Sequence, residues 1–208
     1  MDHIEKTYLP ETRVDLMVDL ETLGTEPGST IFQIAAVEFD LLTGDIVDTI
    51  DLVADISVDK IDVEGGTLLF WMDANAERFR ELLLRGKADG LSPTGALIQF
   101  DAWVRKRIEA SGRENVFLWG NGIANDNLWL REAYRKAGLK WPIHFRNDRD
   151  VRTVRELSYL RNRFRCDYVG EARTNDRPHD ALSDAIFQAR NVADEYAHLT
   201  GFFAGTER

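Results

Sequence analysis

The sequence has only one cysteine, Cys166, among its 208 residues. A lone cysteine cannot form an internal disulfide, which excludes a disulfide-stapled secreted scaffold and fits a reducing cytosol. No apolar run approaches the roughly 20 residues that a transmembrane helix needs. The N-terminal residues also lack the basic start and apolar stretch of a signal peptide. These absences predict a cytoplasmic protein with no membrane partner.

Positive charge is in short supply too. The chain holds 26 Lys and Arg against 36 Asp and Glu, and its formal net charge is −10. Residues 131–177 nevertheless hold 13 Lys and Arg against 7 Asp and Glu, whereas residues 1–66 hold 3 bases against 16 acids. A surface of solvated ion pairs is the reading that charge alone favours. An arginine-rich segment on an acidic body can also hold a phosphate backbone locally.

The hydrophobic pattern predicts an α/β fold in a single domain, residues 1–208, with its core at about 14–195. Apolar runs predict an antiparallel meander of three strands, then a fourth strand and an edge strand, at residues 14–20, 31–39, 46–53, 116–119 and 142–145. Helical spacing predicts five helices, at residues 67–84, 93–111, 125–137, 150–159 and 179–198. Strands followed by alternating helices and strands are typical of a mixed sheet. Residues 161–178 show no periodicity and are predicted to be irregular.

Asp19 and Glu21 lie at the end of the first predicted strand. Residues two apart on a strand project to the same face, so these carboxylates are expected side by side. Buried carboxylates repel one another unless a cation compensates them, and ligands with oxygen alone favour Mg2+ or Mn2+. A surface pair of acids is the more common meaning of such a spacing by itself.

Three later residues have the same ambiguity. Asp126 follows a glycine-containing turn and opens a helix, where a negative charge also suits the helix dipole. His179 and Asp184 are about 140° apart on a regular helix, so they share a site only if His179 lies in the loop before it. Asp184 would then point inward and His179 would approach from the edge.

Together these five positions resemble the signature of the DnaQ-like exonucleases of the DEDDh type. Three segments bring the resemblance closer to the short bacterial and phage 3′-5′ exoribonuclease-like branch related to the nuclease domain of exonuclease VIII. These segments are residues 18–24 (VDLETLG), 119–122 (WGNG) and 147–153 (NDRDVRT). The resemblance covers residues 14–195. It departs at Asn125, where many relatives have an aromatic residue.

The resemblance implies a ribonuclease H-like fold, with a five-stranded mixed sheet whose second strand is antiparallel. It also implies a 3′-5′ exonuclease that takes nucleic acid with a free 3′ end and binds two Mg2+ or Mn2+ ions per active site. Asp19 would be shared between the two metals, with Glu21 and Asp184 at one and Asp126 at the other. His179 would be the general base, since histidine ordinarily titrates near neutral pH. A homodimer is suggested at the level of the family.

Substrate contacts are predicted on both sides of this site. By resemblance, Thr22 and Leu23 beside Glu21 would hold the terminal nucleotide. Trp71, Phe70 or Trp119 could stack on a base, although an aromatic residue on a helix usually belongs to the core. Asp150, Arg149 and Arg152 would support the site or contact phosphate. The arginines of residues 146–165 would bind along the phosphate backbone of the substrate. Residues 161–178 would act as a hinge or lid for His179.

Two other functions fit parts of the pattern. A ribonuclease H-type endonuclease has the same fold but does not need the late histidine. A nuclease-like binding module would keep the fold without catalysis, and the presence of all five site residues argues against it. The sequence does not distinguish DNA from RNA.

Overall fold

Five strands form one mixed sheet in the computed structural model, which describes residues 12–165 and 174–201. The strands are β1 (Val14–Thr22), β2 (Ile31–Phe39), β3 (Ile46–Val53), β4 (Val116–Gly120) and β5 (Asp148–Asp150). Their order is β3-β2-β1-β4-β5; β2 is antiparallel to β1 and β3, and β4 is parallel to β1 and β5. The prediction of a five-stranded mixed sheet with an antiparallel second strand is confirmed.

Six helices flank the sheet in the described part of the chain. They are α1 (Gly65–Met72), α2 (Ala76–Asp89), α3 (Pro93–Ser111), α4 (Asp126–Lys136), α5 (Val151–Arg165) and α6 (Ala181–Thr200). Helix α3 begins where Ser92 accepts a hydrogen bond from the Gly95 N–H and Pro93 occupies the first turn, as its start signals predict. No helix within these residues is long and apolar enough to cross a membrane.

Alternation along β1 divides the core into two layers. Leu16 and Val18 point to the face that α3 and α4 cover, while Met17 points to the face that α6 covers. Because side chains alternate, Asp19 and Glu21 continue the Met17 row and lie on the α6 side. Central β1 therefore delivers both carboxylates beneath α6.

The predicted helix over residues 67–84 is wrong in one respect, because it is two helices. Helix α1 ends at Met72 and α2 begins at Ala76. Asp73 and Asn75 favour turns and caps over helix interiors, because their side chains compete for backbone hydrogen bonds. The break lets the rings of Trp71 and Phe79 stack with centroids 5.3 Å apart.

The predicted edge strand at residues 142–145 is also wrong. Arg113 donates to the carbonyls of Pro142 and Ile143 at 2.6 and 2.8 Å, in place of a neighbouring strand. The edge strand is β5 instead, three charged residues long. A strand so short and polar has no apolar alternation to reveal it.

The stretch at residues 161–178 is partly helical. Residues 161–165 extend α5, which corrects the prediction of irregular structure there. Cys166 and the middle of the predicted lid, residues 166–173, lie outside the described residues. Residues 174–180 are non-helical and lead into α6.

Candidate active site

Three carboxylates from two elements meet at the carboxyl end of β1. Asp19, Glu21 and Asp184 each offer an oxygen such that these oxygens lie within 4.8 Å of one another. Asp184 is in the first turn of α6, which packs across β1 and β2 and so brings its N-terminal end over the strand. Glu21 is 8 % exposed, and Asp19 and Asp184 are partly exposed. This cluster opens to solvent on one side and rests on the core on the other.

Asp126 lies beyond the end of the neighbouring strand β4, where α4 begins. It is the first residue of α4, is 8 % exposed, and accepts a hydrogen bond from the Asn121 N–H at 2.9 Å. A Cβ added at Gly120 would lie 2.5 Å from Asn127 Oδ1 and 3.1 Å from the Asp126 Cβ. Glycine at the end of β4 therefore lets α4 start close to the sheet. Asp126 is outside the group of three, but its charge acts on Asp19, as the pKa of Asp19 indicates.

The electrostatics of this region disfavour four ionised carboxylates. Burial raises the pKa of Asp19 well above its usual value, and repulsion from Asp126, Glu21 and Asp184 raises it further. Burial followed by repulsion from Asp184 raises the pKa of Glu21 to about 8. Burial raises the pKa of Asp126 to about 7, although the Asn121 N–H opposes it, and burial also raises the pKa of Asp184. A cation would relieve both the repulsion and the loss of solvation.

The donor set fits hard divalent cations. Every side chain of the cluster offers oxygen, and thiol and imidazole ligands are absent from this group. Oxygen-only sites suit Mg2+, Mn2+ and Ca2+ rather than the softer metals. The residues present are therefore able to hold Mg2+ or Mn2+.

His179 stands at the rim of the carboxylate cluster, in the loop before α6. Its backbone N–H donates to Asp184 Oδ2 at 3.0 Å, and its φ of 59° lies in the left-handed region. The imidazole meets the Phe70 ring edge-on at 5.1 Å and the Trp71 ring at 6.2 Å. The side chain thus lies between the start of α6 and the end of α1. The predicted loop position of His179 agrees with this placement.

A cleft of about 420 Å³ adjoins Glu21. Its walls come from the end of β1, the loop after it, α1 with its N-cap residue, and α4: Glu21, Thr22, Gly24, Thr25, Glu64, Gly66, Thr67, Phe70, Trp71 and Trp129. The orientation of the Glu64 carboxylate is fixed, because its Oε2 accepts from the Thr25 N–H at 2.9 Å and the Thr25 hydroxyl at 2.6 Å.

Of the residues predicted to contact the terminal nucleotide, Thr22 and Trp71 line this cleft and Leu23 does not. The Thr22 hydroxyl donates to the Gly24 carbonyl at 2.7 Å, and Leu23 is 1 % exposed, so its side chain belongs to the core. Trp71 is also 1 % exposed, and its indole N–H donates to the Thr22 carbonyl at 3.0 Å. Phe70 is 44 % exposed. Of the aromatic residues predicted to stack on a base, Phe70 has a free face, whereas Trp71 and Trp119 are buried.

On the other side, Asp150 and Arg152 border Asp126. Asp150 accepts from the Thr153 N–H at 2.7 Å and the Ile123 N–H at 2.9 Å, which ties the loop after β4 to the start of α5. Arg152 is exposed, and its positive charge opposes part of the rise that burial causes in the pKa of Asp126. Arg149 turns away, with its guanidinium 4.5 Å from the Phe117 ring centroid. Arg152 is therefore the arginine of this pair that faces the carboxylates.

Three polar residues at the site were missed from the sequence. Gln188 donates to Asp19 Oδ1 at 2.8 Å, Asn175 donates to Asp184 Oδ1, and Glu64 lines the cleft. Gln188 follows Asp184 by four residues, and that helical spacing is a signal that could have found it. Asn175 and Glu64 lie in polar segments without periodicity, where no pattern marks them.

Comparison with known proteins decides the family. Residues 14–195 match the family described as the 3′-5′ exoribonuclease Rv2179c-like domain. The chain belongs to this exonuclease family. The predicted resemblance to the DnaQ-like exonucleases is confirmed, and so is the prediction of a 3′-5′ exonuclease. The comparison with curated proteins gave no match.

Solved structures share the fold of this exonuclease. The nuclease domain of 3′hExo, a DEDDh family member bound to rAMP, has a TM-score of 0.56 and 15% identity, covering 91% of this chain and 93% of that one. Cell-death related nuclease 4 has a TM-score of 0.58 and 12% identity, covering 90% and 64%. E. coli exonuclease I in a complex with single-stranded DNA has a TM-score of 0.62 and 14% identity, covering 91% and 41%. The exonuclease thus spans about two fifths of that last chain.

Proposed function

We propose that this exonuclease removes nucleotides from RNA 3′ ends with two divalent cations, Mg2+ or Mn2+, and a histidine base. One observation carries the proposal: Asp19, Glu21 and Asp184 each offer an oxygen that lies within 4.8 Å of the other two, with Asp126 and the His179 loop beside them. A single domain supplies all five residues. The family described for residues 14–195 is exoribonucleolytic, which supports RNA as the substrate.

The carboxylates divide the work of holding the cations. The charges of Asp126, Glu21 and Asp184 all act on Asp19, which suits a shared ligand. Bound divalent cations supply an activated water and stabilise the charge that develops on the phosphate and the leaving oxygen. Gln188 orients Asp19, because its amide N–H occupies Oδ1 and restricts rotation of the carboxylate.

His179 accepts the proton of the attacking water. Its imidazole lies at the rim of the carboxylate cluster, and its backbone N–H donates to Asp184. The histidine is therefore held beside a metal-binding residue without being a ligand itself. A general base at such a position contributes typically 10²–10⁴-fold to the rate. Arg152, exposed next to Asp126, would contact a phosphate of the substrate strand.

The cleft beside Glu21 suits the 3′-terminal nucleoside. Its volume of about 420 Å³ is within the usual range for small ligands, and Phe70 gives it an exposed aromatic face. Glu64 lines a cleft that would receive a polyanion, and no donor within residues 12–165 and 174–201 bonds its second oxygen, Oε1. Such a group repels phosphate and binds hydroxyls, so the ribose 2′-hydroxyl is the donor that it fits.

Glu64→Ala should lower kcat/KM on an RNA oligonucleotide about 10-fold, because a hydroxyl loses a charged acceptor. The same RNA with one 2′-deoxynucleotide at its 3′ end should be degraded about equally by the variant and the wild type. Glu114→Ala, a glutamate at the opposite end of the sheet, is the matched control. Equal losses on the two substrates would remove Glu64 from sugar recognition.

Labelled substrates test the function itself. RNA and DNA, single-stranded, double-stranded or with 3′ overhangs, are labelled at either end and incubated with Mg2+ or Mn2+. We expect mononucleotides from a 3′ label at once and a descending ladder from a 5′ label, with RNA preferred. Internal cuts would indicate a ribonuclease H-type endonuclease, and no cleavage in either metal would indicate a binding module.

A further inference from the structure

Asn175 makes a set of contacts that the proposed chemistry does not explain. Its Nδ2 donates to Asp184 Oδ1, while its Oδ1 accepts from the Ser183 hydroxyl at 2.7 Å and the Arg177 N–H at 3.0 Å. A backbone N–H can only donate, and a carboxylate can only accept, so the carboxamide fits in this orientation alone. Asn175 is half-buried, two residues after the undescribed segment and nine before Asp184 in the chain.

The loop between Asn175 and His179 is closed by one carboxylate. Asn175 binds Oδ1 of Asp184, and the His179 N–H binds Oδ2 of the same group. The two ends of the loop are therefore fastened to the two oxygens of a residue in the metal cluster. A change in the position of Asp184 moves both ends, and a change in the loop moves Asp184.

His179 needs such a fastening. It is the sole non-glycine residue with positive φ in residues 12–165 and 174–201, at 59°. A residue with a Cβ is strained in this region, and surrounding contacts must offset that strain. These contacts include the bond from its backbone N–H to Asp184 and the perpendicular packing of its ring against Phe70 and Trp71.

The Asp184 carboxylate also depends on the hydrogen bonds from this loop. It lies beside those of Glu21 and Asp19, which repel it away from the cluster when no cation is bound. The Asn175 amide and the His179 N–H pull it back to one orientation. Ser183, the residue before Asp184 on α6, fixes the carboxamide in turn through its hydroxyl.

We propose that Asn175 is a positioning residue that holds the base His179 and the metal-binding Asp184 as one unit. This inference depends on the proposed function, since it assigns Asn175 a role through two residues of that site. Losing the carboxamide frees the loop and the carboxylate together, so it lowers turnover and weakens the metal site while the terminal-nucleotide cleft stays intact. Outer-shell partners of metal ligands typically contribute 10–100-fold to activity or metal affinity.

The test compares four variants in the full chain: Asn175→Ala, Asn175→Asp, Ser183→Ala and the double change of Asn175 and Ser183 to alanine. Asn175→Ala should lower kcat about 10–100-fold, leave KM within about threefold, and raise the Mn2+ concentration needed for half-maximal rate. Asn175→Asp keeps the shape and loses the donor, so it should be at least as impaired. Ser183→Ala should cost less, about three- to tenfold. The double variant should resemble Asn175→Ala, because the two residues act through one contact.

Asn115→Ala is the control, an asparagine at the other end of β4 that binds Ser111 and Thr12. It should keep wild-type kcat and Mn2+ requirement. A residue that only supports folding would lower the melting temperature and the active fraction, with the Mn2+ requirement unchanged, and that result would overturn the proposal. Wild-type turnover in Asn175→Asp would overturn it too. Either outcome with an active wild type leaves the exonuclease function standing, whereas an inactive wild type on every substrate contradicts the function first.

Discussion

Asp19→Asn should lose turnover by roughly 10³-fold or more, and its metal-free form should be more stable than the metal-free wild type. The loss is expected because Asp19 is the ligand shared by both cations in the proposed function, and a metal ion contributes several kcal/mol of transition-state stabilisation. The gain follows because burial and three acidic neighbours oppose its charge. Asparagine keeps the Oδ1 that accepts from Gln188 and removes the charge.

Thermal unfolding with and without metal measures the gain in stability, and an exonuclease assay measures the loss of turnover. We expect the metal-free melting temperature of Asp19→Asn to exceed that of wild type by about 2–6 °C, since 1 kcal/mol is about 2–4 °C for a chain of this size. Saturating Mn2+ should raise the melting temperature of wild type and have little effect on the variant. A variant with near-normal turnover would remove the metal assignment from Asp19.

Asp15 offers a matched control on the same strand and face. Its carboxylate is 3 % exposed, pairs with Arg13 at 2.5 Å and accepts from the Trp119 indole N–H at 2.7 Å. Asp15→Asn breaks a compensated charge, so it should lower stability and keep the Mn2+ response. If Asp19→Asn were destabilising like Asp15→Asn, the carboxylate cluster would not be a site of repulsion.

The second large effect is expected from His179→Ala, which should lower kcat about 10²–10⁴-fold and leave the Mn2+-induced rise in melting temperature nearly intact. The imidazole is lost, but alanine keeps the backbone N–H that binds Asp184. The site should therefore hold metal and lack its base. Activity assays at saturating Mn2+, with the same thermal series, separate the two quantities.

Backbone strain needs its own control at this position. Asparagine adopts positive φ more readily than alanine, so His179→Asn separates the loss of the base from distortion of the loop. Both variants should lose the same turnover, and His144→Ala, a histidine at the far end of the sheet, should lose none. Parallel loss of turnover and of metal binding in His179→Asn would mean that the histidine is a ligand or a structural residue.

The sequence predicted the frame of the site better than its lining. The apolar run of β1 placed Asp19 and Glu21 on one face because strand alternation is strict, and the structure keeps that face. Bringing Asp126 and Asp184 to the same end of the sheet needed the resemblance, since no local pattern says which helix ends meet. The motif order thus supplied tertiary information that periodicity lacks.

The remaining features depend on contacts that no local signal records. Trp71 has the spacing of a helix residue, and whether its ring lines the cleft or fills the core is decided by how α1 turns before α2. Strand β5 is charged at all three positions and is held by its neighbours. Asn175 becomes a functional candidate only when the loop before α6 brings it onto Asp184, nine residues later, and Glu64 only when Thr25, 39 residues earlier, folds next to it.

The position of Asp184 on the last helix has a consequence for biosynthesis. Asp19 and Glu21 are translated early, on a strand that forms the middle of the sheet, whereas Asp184 and His179 arrive with α6 and the loop before it. A nascent chain therefore lacks Asp184 and His179 until α6 and the loop before it have emerged and docked. Assembly of the complete site is in this way a late step of co-translational folding.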